Sequence, residues 1–116
     1  MKTNFKIKNK VKHLKGIIYN VEVKRKIIQI LITFHAQSRI RKWELTEAQV
    51  IETLLKPEEV LKGHYGRYIA HRKYNNHLMR AIYEYEENIP VIVTVYFPLS
   101  NRYYEGGGRY EDKILS

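Results

Sequence analysis

At 116 residues the chain has room for one domain and one modest core. Hydrophobic residues at 44% and charged residues at 28% describe a globular chain, not a disordered one, and the absence of cysteine excludes disulfides and thiolate metal sites. The net charge of +9 is unevenly placed: residues 1–26 carry nine lysines and arginines against Glu22 alone, and the other ninety carry twelve basic and eleven acidic groups.

In chain order, residues 1–16 alternate lysine with Ile, Val or Leu, a pattern that fits a flexible basic arm or an edge strand. Lys6, Lys8, Lys10, Lys12 and Lys15, followed by Lys24, Arg25 and Lys26, form a cationic segment. Such a segment attracts polyanions through counterion release, so RNA is the expected partner; a solvated tail that aids solubility is the plainer alternative. Residues 17–23 alternate and are β-branched, which predicts a strand, and after the basic turn at 24–26 a second strand is expected over 27–33, suiting a hairpin.

Ala36, Ile40 and Trp43 recur at helical spacing over about 34–44. Thr46 and Gln49 then form a T-x-x-Q capping box with Glu47 in the first turn, and Val50, Ile51, Leu54 and Leu55 supply the buried face of a second helix. Pro57 ends it by pushing Lys56 toward extended geometry, and a loop is expected from Leu61. A meander follows: a strand over 67–74, a turn at Asn75–Asn76, a strand over 77–85, a turn at 86–88, and the apolar run 91–97, which reads as the central strand. The expected organisation is a basic arm at 1–16, an α+β domain at 17–104 and a tail at 105–116 near which Tyr103, Tyr104, Ile114 and Leu115 are able to dock. No run approaches about 18 apolar residues and no apolar h-region follows the first lysines, so a cytoplasmic protein with no membrane partner is expected.

The chain has no P-loop, no dinucleotide-binding glycine fingerprint and no G-x-S-x-G elbow. Its five histidines lack metal-binding spacing, so neither a metal nor a cofactor is expected. The acidic residues fall mainly in turns and on helix surfaces, which disfavours a paired-carboxylate hydrolase. His, Arg and Tyr remain. His35 and Arg39 share a helix face, His71 and Arg80 lie on successive strands, and Thr94 and Tyr96 alternate on the central strand, on one face with Ile92. Such groups suit cleavage of RNA without a metal. A base activates the 2′-hydroxyl, a guanidinium fork holds the phosphate, and an acid protonates the leaving 5′-oxygen. Each residue also has a plainer use: His35 in packing the strand-to-helix junction, Arg39 in an ion pair, Tyr96 at the rim of the core.

The run Phe34-His35-Ala36-Gln37-Ser38-Arg39-Ile40-Arg41-Lys42-Trp43-Glu44-Leu45-Thr46 to Val50 resembles an H-A-x-x-R pattern of a family of small bacterial and archaeal proteins known only as a domain of unknown function. Leu78-Met79-Arg80-Ala81-Ile82-Tyr83, Val93-Thr94-Val95-Tyr96 and Arg102-Tyr103-Tyr104-Glu105-Gly106-Gly107-Gly108 extend the resemblance over about residues 28 to 108. That family looks like a relative of the RelE/ParE and BrnT toxins, within the barnase–EndoU–colicin–RelE ribonuclease-like fold. The resemblance implies two helices packed on a four- to five-stranded antiparallel sheet, RelE-like. It also implies a toxin-type endoribonuclease paired with a small acidic antitoxin protein. The family's functional positions fall on His35, Arg39, Arg80, Thr94 and Tyr96, and His71 is added on chemistry alone. A non-catalytic module that binds nucleic acid or a partner protein is the competing expectation.

Overall fold

The structure is a computed structural model that describes residues 4–99. Its elements in chain order are β1 (Phe5–Lys12), β2 (Gly16–Val23), β3 (Lys26–Thr33), α1 (Phe34–Lys42), α2 (Glu47–Leu55), β4 (Glu59–Lys62), β5 (Tyr68–Tyr74), β6 (His77–Glu86) and β7 (Ile89–Tyr96). The strands form one sheet in the order β1-β2-β3-β7-β6-β5-β4. Every neighbouring pair is antiparallel except β3 and β7, which run parallel through Leu31 opposite Val91 and Ile32 opposite Ile92.

The α+β class agrees with the sequence reading, but a four- to five-stranded antiparallel, RelE-like sheet is incorrect: the sheet has seven strands and is mixed. Three causes account for the difference. The lysine-rich N-terminal stretch pairs with β2 and adds an edge strand. Residues 59–62, expected to lead into a loop, form a four-residue strand too short for period-two alternation to be visible. The helices carry the chain from β3 to the far edge, and the returning meander brings β7 beside β3 in the same direction. The middle strand is β7, as its apolar run implied. The tail at 105–116, and its tyrosines and aliphatics, lie outside the described residues.

Local chemistry sets the helix boundaries. The Thr33 side chain accepts from the Ala36 N–H at 3.1 Å to open α1, and α2 begins at the expected capping box, in which Thr46 and Gln49 each satisfy the other's backbone N–H. Both helices lie on one face of the sheet, α1 chiefly on β7 and α2 on β5 and β6. Val50, Ile51, Leu54 and Leu55 meet Ala70, Met79, Ala81 and Tyr83 there, each large aliphatic contributing about 1.5–3 kcal/mol of transfer free energy. Gln37 donates to the Tyr19 hydroxyl at 2.8 Å, tying α1 to β2.

Two bulges set which side chains face the helices. In β1 the register slips between Ile7 and Asn9. Lys6 therefore pairs opposite Glu22 on the face away from the helices, whereas Lys10, opposite Tyr19, turns to the helix face and reaches Glu47 at 3.1 Å. Lysines along an exposed edge strand also discourage pairing with another chain. In β7 the slip opposite Ile82 and Tyr83 leaves Val93 unpaired. Ile92 faces the helices, while Thr94 and Tyr96 face away, so these three do not share a face as simple alternation suggested. Gly16 is required by a close approach: a Cβ there would sit 2.2 Å from the Ile32 carbonyl oxygen.

Candidate functional site

Antiparallel register assembles four of the polar residues into a row. Glu59 on β4 lies opposite His71 on β5, His71 opposite Arg80 on β6, and Arg80 opposite Tyr96 on β7. Residues directly opposite in a ladder point to the same side. Their neighbours Ala70, Ala81 and Val95 belong to the helix-side core, so the row stands on the face away from the helices. At about 4.8 Å per strand it spans about 14 Å. The next row on that face carries Leu61, Ile69, Ile82 and Thr94.

Exposure rises along the row from His71 to Tyr96. Glu59 is 2% exposed and His71 is fully buried, Arg80 is half-buried, and Tyr96 is 43% exposed. Glu59 Oε1 lies 3.8 Å from His71 Nδ1, within ion-pair range but beyond a hydrogen bond. Burial, reinforced by the positive charge of Arg80, lowers the His71 pKa to about 4. The imidazole is therefore neutral at physiological pH and out of reach of solvent. Past Tyr96 the chain stays anchored: Leu78 N–H donates to the Pro98 carbonyl at 2.8 Å, and the His77 and Phe97 rings stack at 4.5 Å.

His35 and Arg39 approach from the helix layer. On a helix turning about 100° per residue, the two lie on the flank of α1 away from Gln37, which points to β2. β3 ends at Thr33, whose hydroxyl donates to the Val93 carbonyl at 3.2 Å, so β7 beyond Val93 has no β3 partner and α1 fills that side. His35 is exposed and Arg39 half-buried. The sequence candidates thus divide into a row of His71, Arg80 and Tyr96, with Thr94 beside it, and a helix pair, His35 and Arg39, reaching the same end of β7 from the opposite layer. Among the described residues, Arg39 Nε, Trp43 Nε1, Thr94 Oγ1 and both His71 ring nitrogens are buried without a hydrogen-bond partner.

Sequence reading missed Glu59, because its neighbours Glu58 and Pro57 suggested a helix-ending turn and β4 is short. Its only signal was an acid leading into Val60 and Leu61. Among the described residues no group of three His, Asp or Glu side chains is placed to hold a metal ion, and no helix is long and apolar enough to cross a membrane. An open hollow of about 510 Å³ lies at the other end of β7, lined by Ile27, Tyr85, Asn88 and Pro90 among others, and holds none of the candidate residues.

The cationic segment occupies the opposite side of the molecule from β4. Lys24 and Arg25 adopt left-handed backbone in a tight turn, φ 50° and 67°. Lys8, Lys10 and Lys15 are within ion-pair distance of Glu22, Glu47 and Glu86, whereas Lys6, Lys12, Lys24, Arg25 and Lys26 are exposed with no carboxylate partner among the described residues.

One mixed seven-stranded sheet, with two helices on one face and a polar row on the other, defines an α+β domain. The chain belongs to the family described as Domain of unknown function (DUF4258), whose pattern matches residues 32–97, from the end of β3 through β7. No curated protein and no solved structure matches the chain.

Proposed function

We propose that the protein is a metal-independent endoribonuclease of the toxin type, acting in the cytoplasm. The observation that carries the reading is the row in which an exposed phenol, Tyr96, stands next to a half-buried guanidinium, Arg80, with Thr94 alongside on the same face; Arg39 and His35 lie on α1, which packs on the other face of β7. Arg80 holds the scissile phosphate and offsets the charge that builds on it, and Arg39 joins it from the other layer past the end of β3, where β7 has no β3 neighbour. His35 and Tyr96 divide the two proton transfers, one taking the 2′-hydroxyl proton and the other supplying a proton to the leaving 5′-oxygen. His71, buried and neutral, supports Arg80 rather than meeting RNA. The toxin-type part of the reading, and a small acidic antitoxin as partner, rest on the motif resemblance.

The test is incubation of the purified protein with end-labelled single-stranded RNA in excess chelator. Cleavage that leaves a 2′,3′-cyclic phosphate is expected. Intact RNA both with chelator and with added divalent metal overturns the reading.

A second reading, a nucleic-acid-binding module without catalysis, is favoured by the five exposed cations that lack carboxylate partners. It predicts salt-dependent binding of RNA that is never cut.

A further inference from the structure

Glu59 is the buried acid that the proposed reaction leaves unused. It sits within the β4–β5 ladder directly opposite His71, and its Oε1 lies 3.8 Å from Nδ1. Taking a carboxylate out of water is costly unless a compensating charge and hydrogen-bond donors are close. The next two positions of its row supply both, first the His71 ring and then the Arg80 guanidinium.

A neutral imidazole carries one proton on one of its two nitrogens. A carboxylate on the Nδ1 side stabilises an N–H there. A guanidinium has only donors, and Arg80 lies on the strand on the other side of β5 from Glu59, so Nε2 serves it best with a bare lone pair. Both preferences select the same tautomer; with Nδ1 3.8 Å from Oε1 and neither ring nitrogen hydrogen-bonded in the structure, the relay forms when the side chains rotate into hydrogen-bond range on both sides of the ring.

We infer that Glu59 and His71 form a buried relay, with the imidazole proton on Nδ1 toward Glu59 and Nε2 accepting from Arg80, that holds the Arg80 guanidinium beside Tyr96. The catalytic consequence rests on the endoribonuclease reading, in which Arg80 grips phosphate; Glu59 and His71 are then positioning residues that touch no substrate. Glu59 fixes the ring and the ring fixes the orientation of Arg80 from behind.

The tautomer is read directly by long-range proton–nitrogen NMR of His71 in the unmodified protein. A proton on Nδ1 is expected, and a proton on Nε2 overturns the relay. In Glu59→Gln, the Arg80 Nε–H signal is expected to become more mobile, and kcat for RNA cleavage to fall about tenfold with KM unchanged, the scale on which outer-shell partners act. A folded Glu59→Gln variant with an equally rigid Arg80 and an unaltered kcat overturns it. If that variant does not fold, the tautomer of the unmodified protein decides. If the unmodified protein cuts no RNA, the endoribonuclease reading falls alone, and the tautomer and Arg80 mobility still decide the relay.

Discussion

The two sides of the sheet use the same kinds of side chain under opposite physical conditions. In the N-terminal meander of β1, β2 and most of β3, which precedes the matched family region, cations line an exposed edge and a tight turn. They stay hydrated and act at a distance through their summed field. In the family region, Glu59, His71 and Arg80 are drawn into one row where two of the three are almost without solvent. Buried polar groups there must compensate one another, and that requirement fixes where each one sits. On the proposed reading, attraction of a polyanion and chemistry on it fall to separable regions, and each is expected to be disabled without the other.

The largest expected effect comes from the family region. Tyr96→Phe and Arg39→Ala should each lower RNA cleavage about a hundredfold or more. Tyr96 is 43% exposed, so Tyr96→Phe should move stability by less than about 0.5 kcal/mol. Single-turnover kinetics beside thermal unfolding separates the two quantities. Wild-type cleavage in both folded variants breaks the division of labour, because the chemistry would then lie elsewhere.

Next comes acid sensitivity. The His71 pKa is lowered from 6.5 to about 4 by burial and by Arg80. Between those values the unfolded chain binds more protons than the folded one, so stability rises with pH across this window. His71's contribution is fully present above 6.5 and is lost as pH falls toward 4, amounting to up to about 3 kcal/mol. Urea unfolding from pH 4 to 7 measures the slope, and His71→Gln should remove most of it. An equal slope in that variant places the acid sensitivity outside the row.

These two expectations also show why some of the site was legible in the sequence and some was not. Arg80 and Tyr96 stood out because charge and phenol interrupted apolar strands, and the capping box of Thr46 and Gln49 identified α2 from four residues. The row itself is a product of register across four strands, which no local pattern encodes. The bulge at Val93 reversed the face of Ile92 relative to Thr94, and a bulge leaves no periodic trace in a run of Val and Ile. The N-terminal lysines were plain by counting, yet their pairing as β1 depends on β2 offering an edge. The sheet was therefore underestimated where strands are short or strongly charged.

Neutralising Lys24, Arg25 and Lys26 to Gln tests the other region. These exposed cations have no carboxylate partner among the described residues. Removing three charges should flatten the dependence of log binding constant on log salt by about 2 for single-stranded RNA. Single-turnover cleavage at saturating protein should be unchanged. A loss of cleavage at saturation instead makes the turn part of the chemistry and merges the two regions.

The smallest effect concerns the link between them. Lys10 projects from β1 across the sheet to Glu47 in the first turn of α2, at 3.1 Å, with its ammonium 5.8 Å from the Tyr19 ring centre. A partly exposed pair of this kind contributes little, because each charge gives up hydration and side-chain freedom to meet the other. The Glu47 carboxylate is already favoured by the positive end of the α2 dipole, so removing Lys10 does not leave it stranded. Lys10→Gln should lower stability by less than about 1 kcal/mol, with the difference shrinking in high salt. A larger, salt-insensitive loss would show that the β1 edge strand is held to the family region mainly through this contact. The apolar packing of Phe5 and Ile7 against the helix-side core makes the smaller value the expected one.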